Sequence, residues 1–314
     1  MKVYSNFDQL TAIKNPVLTI GTFDGVHVGH QKIIQQLNTA AEKIKGESVL
    51  FTFYPHPRMV LFPDSHGLKL IQTQAEKLEK LRRYGLKNVI VYPFTLDFSR
   101  LTATEFVRDY LVNKLKVKKM IIGYDHQFGK NREGTLELLK DLSPIYDFQV
   151  QEIPAQDIES VNVSSTKIRN SLKNGDIQTA TKYLGEYFEL SGKVIHGNKI
   201  GRTINFPTAN IEVDSEIKVI PANGVYAVRV LLENKTEHFG MLNIGKKPTV
   251  SNDNYVSIEV NILDFSADLY NQSITVKFLS KLRDEQKFEE LSDLQTQIKK
   301  DEQAVRNSIL TSNF

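Results

Sequence analysis

Two histidines stand three residues apart in the string Gly21-Thr22-Phe23-Asp24-Gly25-Val26-His27-Val28-Gly29-His30, just where a helix is predicted to start. Imidazole donors and the unpaired N–H groups of a helix N-terminus then point at one volume, which makes an anion site with phosphate as its natural occupant. A glycine-rich turn carrying two surface histidines is the bland alternative, and the better one for an isolated His-x-x-His pair. The whole string is harder to dismiss. Zinc held by His27, His30 and His56 ranks lower, because Gly29 beside His30 suits close phosphate approach and no glutamate completes a metalloprotease pattern.

Downstream, Val163-Ser164-Ser165-Thr166-Lys167-Ile168-Arg169 opens another predicted helix. Hydroxyls and fresh N–H groups at a helix start, with Lys167 and Arg169 close by, can hold a triphosphate. Taken alone the string reads as an ordinary Ser/Thr cap.

A third constellation joins Gly192-Lys193-Val194-Ile195-His196-Gly197-Asn198-Lys199-Ile200-Gly201-Arg202 to Asn205-Phe206-Pro207-Thr208-Ala209-Asn210. It lacks the Gly-x-x-x-x-Gly-Lys-Ser/Thr loop, so a kinase built on it lies outside the P-loop class. Backbone N–H groups of a glycine-spaced loop can wrap phosphates, with Lys199 and Arg202 beside them. Thr208 and Asn210 add neutral oxygens of the kind a hard Mg²⁺ accepts alongside nucleotide phosphates. Each, taken singly, is a turn or a strand end. In Ser257-Ile258-Glu259-Val260-Asn261-Ile262-Leu263 the apolar residues alternate, leaving Glu259 and Asn261 on the other face. Glu259 is there either a solvated charge or a general base, and the pattern alone favours the solvated charge.

These residues need elements to hold them. Val17 to Ile20 reads as a short buried strand ending at Gly21, and Ile33, Ile34, Leu37, Ala41 and Ile44 mark one face of the helix after it. The alternation continues with strands at Val49 to Phe53, Val89 to Tyr92 and Met120 to Gly123, and helices at Gln74 to Tyr84 and Thr104 to Leu115. Such α/β alternation predicts a parallel sheet covered on both faces, with the loops after Ile20, Phe53 and Ile122 meeting in one crevice at the strands' carboxyl ends. From about Gly185 the texture turns to β runs at Tyr187 to Ile195, Gly224 to Leu232, Phe239 to Ile244, Val256 to Phe265 and Ile274 to Leu279. A small antiparallel barrel or sandwich follows. Glu285 to Leu310 has helical spacing and is expected to pack on it.

The chain has 314 residues, 40 basic and 37 acidic, a formal charge of +3 with Lys and Arg scattered, and no cysteine. The length favours two domains. Nucleic acid as main partner is not indicated. Disulfides, thiolate metal sites and cysteine nucleophiles are excluded. Without a signal-like segment or an apolar run near the roughly 18 residues of a membrane span, the expectation is a cytoplasmic protein with no membrane partner.

The histidine string resembles the His-x-Gly-His signature of the nucleotidyltransferase superfamily and, in its longer form, that of bacterial FAD synthetases. Thr52-Phe53-Tyr54-Pro55-His56-Pro57, then Gly123-Tyr124-Asp125-His126-Gln127-Phe128-Gly129 with Arg132 and Gly134, then the Val163 string match that family in order. The resemblance implies a Rossmann-like nucleotidyltransferase domain in which the FMN phosphate attacks the α-phosphate of ATP and expels pyrophosphate. The protein aligns the two and neutralises the charge developing on the phosphoryl oxygens. It gives catalysis to His27 and His30, ATP binding to Gly21, Phe23, His27, Gly29, His30, Ser165, Thr166 and Arg169, and flavin binding to His56 and Asp125. His126 and Gln127 depart from the family's usual Phe and Arg.

The later strings look like the riboflavin kinase family, whose Pro-Thr-Ala-Asn segment holds Mg²⁺ and ATP. Further matches are Pro221 with Gly224-Val225-Tyr226-Ala227, Asn243-Ile244-Gly245 with Pro248-Thr249, and Leu282-Arg283. The resemblance implies an antiparallel β-barrel with a terminal helix, ATP binding by Gly197, Lys199, Gly201, Arg202, Thr208 and Asn210, and Mg²⁺ on Thr208 and Asn210. It makes Glu259 the base that takes the proton of the riboflavin 5′-hydroxyl, and brings Arg283 to the flavin. Asn205, Asn261 and Asn271 stand where the family has other residues; Asn205 replaces a glycine and tolerates positive φ.

Nearly the whole chain thus resembles bacterial bifunctional riboflavin kinase/FMN adenylyltransferases, with residues 1–184 as adenylyltransferase and 185–314 as kinase. Riboflavin, FMN, FAD and ATP are the implied partners. Two rivals stay open: a nucleotidyltransferase acting on another phosphate, such as pantetheine phosphate or nicotinate mononucleotide, and a flavin-binding module that has lost catalysis. Protein partners, oligomeric state and the passage of FMN between sites are not legible.

Overall fold

The computed structural model describes residues 1–63, 67–123, 126–153, 163–197, 201, 206–247 and 255–311. The chain divides into two compact units, Met1–Ser165 and Thr166–Phe314.

The first unit is built on a six-stranded sheet. Its strands are β1 (Lys2–Tyr4), β2 (Pro16–Ile20), β3 (Glu47–Tyr54), β4 (Asn88–Pro93), β5 (Lys119–Gly123) and β6 (Gln149–Ile153), in the order β1-β4-β3-β2-β5-β6 with every pairing parallel. Alternate residues serve opposite layers because successive side chains of a strand point to opposite faces. Leu18, Ile20, Val49, Phe51, Ile90, Met120 and Ile122 face one way, into a core with Phe106, Val107, Leu111 and Leu139. Val17, Leu50, Val89 and Ile121 face the other, into Ile34, Leu37 and Leu81.

The covering helices are α1 (Val28–Lys43), α2 (Pro57–Leu61), α3 (Gln74–Arg83), α4 (Leu96–Ser99), α5 (Ala103–Glu105) and α6 (Leu136–Tyr146). Local chemistry sets their starts. Thr73 and Glu76 form a reciprocal capping box at α3, as do Thr102 and Glu105 at α5. Where the periodicity predicts an α-helix from Thr104 to Leu115, the chain instead becomes a π-helix over Phe106–Lys114. Over nine residues the two windings differ too little in period for sequence spacing to separate them.

Helix α7 (Ser165–Lys173) opens on the last residue of the first unit and otherwise belongs to the second, which continues with α8 (Ile177–Leu184), closed by Gly185 in the left-handed region. The functional boundary expected at 184/185 and this grouping by packing therefore differ over these two helices. Strands β7 (Glu189–Ile195), β8 (Ala209–Val213), β9 (Gly224–Leu231), β10 (Glu237–Lys247), β11 (Tyr255–Ile262) and β12 (Ser273–Arg283) close into an antiparallel barrel, β10-β11-β8-β7-β12-β9. The barrel, not the sandwich, is the outcome. Helix α9 (Leu291–Thr311) packs Val305 and Ile298 against Ala227, Met241, Phe239 and Leu282. Strand β8 has no apolar run of its own, which is why the sequence shows it only as part of a motif.

Candidate active sites

In the first unit the string from Gly21 to His30 forms the turn between β2 and α1, at the carboxyl end of a central strand. Its backbone is unusual. Phe23 and Val26 hold φ of 51° and 37°, and such left-handed geometry costs a β-branched residue on the order of 1–3 kcal/mol unless its surroundings enforce it. Three bonds do so here: Val26 N–H donates to Phe23 O at 3.2 Å, Gln31 Nε2 to Val26 O at 2.9 Å, and Lys80 Nζ to Gly25 O at 3.2 Å. The Asp24 carboxylate is turned inward and accepts from the Ile71 N–H at 2.9 Å.

His27 is the N-cap of α1, its Nδ1 accepting from the His30 N–H at 3.3 Å. The two imidazoles stack with centroids 3.6 Å apart, and Phe23 lies on the far side of His30 at 4.3 Å. Burial, assisted by the Lys80 ammonium, pushes His27 down to about 4. Burial, His27 and the Lys80 and Lys77 ammoniums hold His30 well below the usual histidine range. Near neutral pH both rings are uncharged N–H donors and acceptors. His30 Nδ1 is sealed from solvent without a hydrogen-bond partner among the described residues. A side chain at Gly29 would press on His27 Nδ1 and Val163, each at 3.2 Å, so glycine is what lets that helix start come close. Ser165 Oγ donates to Asp24 O at 2.9 Å.

The other expected residues have these positions. His56 caps α2 through Nδ1, accepting from the Arg58 N–H at 3.2 Å. Thr166 and Arg169 fall in the second unit, where Arg169 Nη2 donates to Thr166 Oγ1 at 3.2 Å. Asp125 lies outside the described residues.

Two lysines that spacing arguments pass over belong to this site. Lys77 and Lys80 project from α3 and are buried. Lys77 Nζ donates to Thr22 O at 3.1 Å and Thr52 Oγ1 at 3.3 Å. The signal was present in the sequence: both lie on the helix face that also carries buried Leu81, where an apolar residue is expected.

In the second unit, register assembles the other constellation. Strand β11 pairs with β8 so that Glu259 stands opposite Asn210, and directly opposed antiparallel residues share a face. Thr208 Oγ1 donates to Glu259 Oε2 at 3.3 Å and Ser257 Oγ to Glu259 Oε1 at 2.9 Å. Asn261 Nδ2 donates to Pro207 O at 2.7 Å, tying the Pro-Thr-Ala-Asn segment to β11. Gly197 packs directly on the Asn210 side chain and Gly201 on Phe206 O, positions a Cβ could not share. Ser257 was not singled out by sequence reasoning. Beside Thr208 opens a cleft of about 550 Å³ lined by Pro207, Ala209, Val260, Phe265 and Tyr270. Lys199, Arg202 and Asn205 lie outside the described residues.

Arg283 sits at the end of β12 with Nε and Nη2 on the carboxylate of buried Asp301 from α9, at 3.0 and 2.8 Å, and Nη1 on Asp284 O at 3.1 Å. Among the described residues no cluster of three or more His, Cys, Asp or Glu could hold a metal ion, and no helix is long and apolar enough to cross a membrane.

Comparison with known proteins agrees with this division. A family model for FAD synthetase matches residues 10–167, and one for riboflavin kinase matches residues 184–309. A bifunctional riboflavin kinase/FMN adenylyltransferase of Listeria monocytogenes serovar 1/2a is 39% identical over 301 residues, covering 95% of this chain and 94% of its own. Its counterpart from Buchnera aphidicola subsp. Acyrthosiphon pisum is 36% identical over 303 residues, 96% of each chain. A crystal structure from Streptococcus pneumoniae, named a macrolide-efflux protein, superposes with a TM-score of 0.88 at 34% identity over 97% of this chain and 98% of that one.

Proposed function

The chain belongs to the bifunctional riboflavin kinase/FMN adenylyltransferase family, and from that premise we propose how its own residues carry the two activities. It is an enzyme of FMN and FAD synthesis: one activity phosphorylates riboflavin at the expense of ATP, the other transfers the adenylyl group of ATP to FMN.

For the kinase, the observation that carries the reading is the Thr208–Glu259–Asn210 group assembled by the β8–β11 register. Glu259 accepts the proton of the riboflavin 5′-hydroxyl as that oxygen attacks the γ-phosphate of ATP. Hydrogen bonds from Ser257 and Thr208 fix the carboxylate's two oxygens and so its direction. Mg²⁺ fits Thr208 and Asn210, because a magnesium site needs only a few protein oxygens when phosphates and water complete its shell. When bound it neutralises phosphate oxygens. Gly197 and Gly201 offer backbone N–H groups to ATP, and Lys199 and Arg202 add charge. The cleft beside Thr208 suits a planar heterocycle. Arg283 serves the flavin through N–H groups not turned to Asp301 and Asp284.

For the adenylyltransferase, ATP lies on Gly21, Phe23, His27, Gly29, His30 and Ser165, with Thr166 and Arg169 adding donors, and His56 and Asp125 serve the flavin. His27 and His30 act as neutral donors to the α-phosphate oxygens during attack by the FMN phosphate; this is hydrogen-bonded stabilisation of developing charge. A cytoplasmic site of action goes with this reading, since both steps draw on ATP.

The test is to incubate the purified protein with riboflavin, ATP and Mg²⁺ and follow the flavins by chromatography. FMN should rise first and FAD after it. FMN without FAD confines the reading to the kinase, and FAD from added FMN alone confines it to the adenylyltransferase.

A further inference from the structure

Among the described residues of the first unit, the buried acidic and basic side chains are Asp24, His27, Lys77 and Lys80. Lys77 and Lys80 come from α3, Asp24 and His27 from the β2–α1 turn, and all four meet at that turn. Burying an ammonium group is costly and is usually avoided. Here it is done twice against one carboxylate. With His27 and His30 neutral, the described buried groups at the turn carry two lysine charges against one aspartate charge. Over the whole chain 40 basic residues stand against 37 acidic ones, a formal charge of only +3.

We propose that Lys77 and Lys80 are positioning residues for adenylyl transfer: their buried ammonium groups clamp the carbonyls of Thr22 and Gly25 and supply, behind the His27–His30 turn, the fixed positive charge that holds the ATP phosphates. The proposal rests on the reading that ATP occupies this turn. A carbonyl that accepts from an ammonium has its negative end compensated, which lessens its repulsion of phosphate. A charge fixed in a dry interior also acts at longer range than one on the surface, because little water screens it. The lowering of both histidines by Lys80 is the same field felt from the loop side.

A lysine kept for packing and one kept for its charge respond differently to substitution. Burial pushes Lys77 down to about 8, so its charge is carried at a cost to folding, and a neutral replacement relieves that cost. Lys77→Met and Lys80→Met remove charge and clamp together. Lys77→Gln and Lys80→Gln remove the charge but keep an N–H to donate to Thr22 O or Gly25 O, and decide the matter if the methionine variants do not fold.

The experiment measures KM for ATP and for FMN in FAD formation by the full chain, with the kinase step and the thermal midpoint alongside. The expected result is about a tenfold or larger rise in KM for ATP in both kinds of variant, with KM for FMN and the kinase step unchanged and the midpoint unchanged or raised. An unchanged KM for ATP in the glutamine variants overturns the charge. A parallel rise of both KM values with a lowered midpoint reduces the lysines to packing. If the wild-type chain makes no FAD and binds no inorganic pyrophosphate, it is the adenylyltransferase reading that fails, before the lysines are tested.

Discussion

At the scale of single residues, His27 couples the chemistry of the site to its stability. Its imidazole titrates near 4 when folded and near about 6.5 in an unfolded chain. Between those values the unfolded chain binds more protons, so the stability gained by keeping His27 neutral is complete above about 6.5 and is lost as pH falls toward 4. His30 is lowered as well and works in the same direction. The first unit's thermal midpoint is expected to fall as pH is lowered through this window, and to fall less steeply in His27→Gln. Equal slopes would place the acid sensitivity elsewhere. Within the same window and above, up to neutral pH, charge on the imidazoles is not available to hold ATP in the free enzyme. This is why the buried lysines matter.

At the scale of elements, α9 packs on the barrel through an apolar contact and a buried ion pair, with Arg306 reaching Asp264 at the surface besides. Asp301 and Arg283 retain 7% and 16% side-chain exposure, and Gln297 Nε2 donates to Asp301 Oδ1 at 2.9 Å. Removing one partner of such a pair strands the other, at a cost of roughly 3–5 kcal/mol, whereas replacing both with apolar groups is often near neutral. Asp301→Ala is therefore expected to destabilise the second unit by about 3 kcal/mol in denaturant unfolding. The double variant Arg283→Met, Asp301→Leu should recover most of that. A double variant no better than the single would show that the pair contributes little. If Arg283 also reaches the flavin, the double variant loses riboflavin affinity while regaining stability, which separates its two duties. Asn261 works at the same scale, tying Pro207 to β11; Asn261→Ala should raise KM for ATP in the kinase step, about threefold to tenfold, without touching FAD formation from FMN.

At the scale of the whole molecule, the two activities are predicted to be separable. Glu259→Ala should abolish FMN formation and leave adenylylation of supplied FMN, and His30→Ala should do the reverse; equal loss of both steps in either variant would mean one shared centre. The sequence by itself determined the α/β alternation, the later β texture and the motif strings, because these are contiguous signals: helical period, strand alternation and glycine at turns act over a few residues. It also carried the His27–His30 pair, since three residues at a helix start bring side chains together whatever the rest of the fold does. Tertiary structure alone decided what stands opposite what. Glu259 reads from its own strand as a solvated charge, and becomes a candidate base only once β11 pairs with β8 and sets it against Asn210 and Thr208. Alternation fixes the face of a strand but not its partner or register, which come from distant pairing. Closure into a barrel and the seating of Arg283 on Asp301 are decided in the same way. So too are Lys77 and Lys80: their bonds to Thr22 and Gly25 each span 55 positions of sequence, and only the packed helix brings their charge beneath the turn.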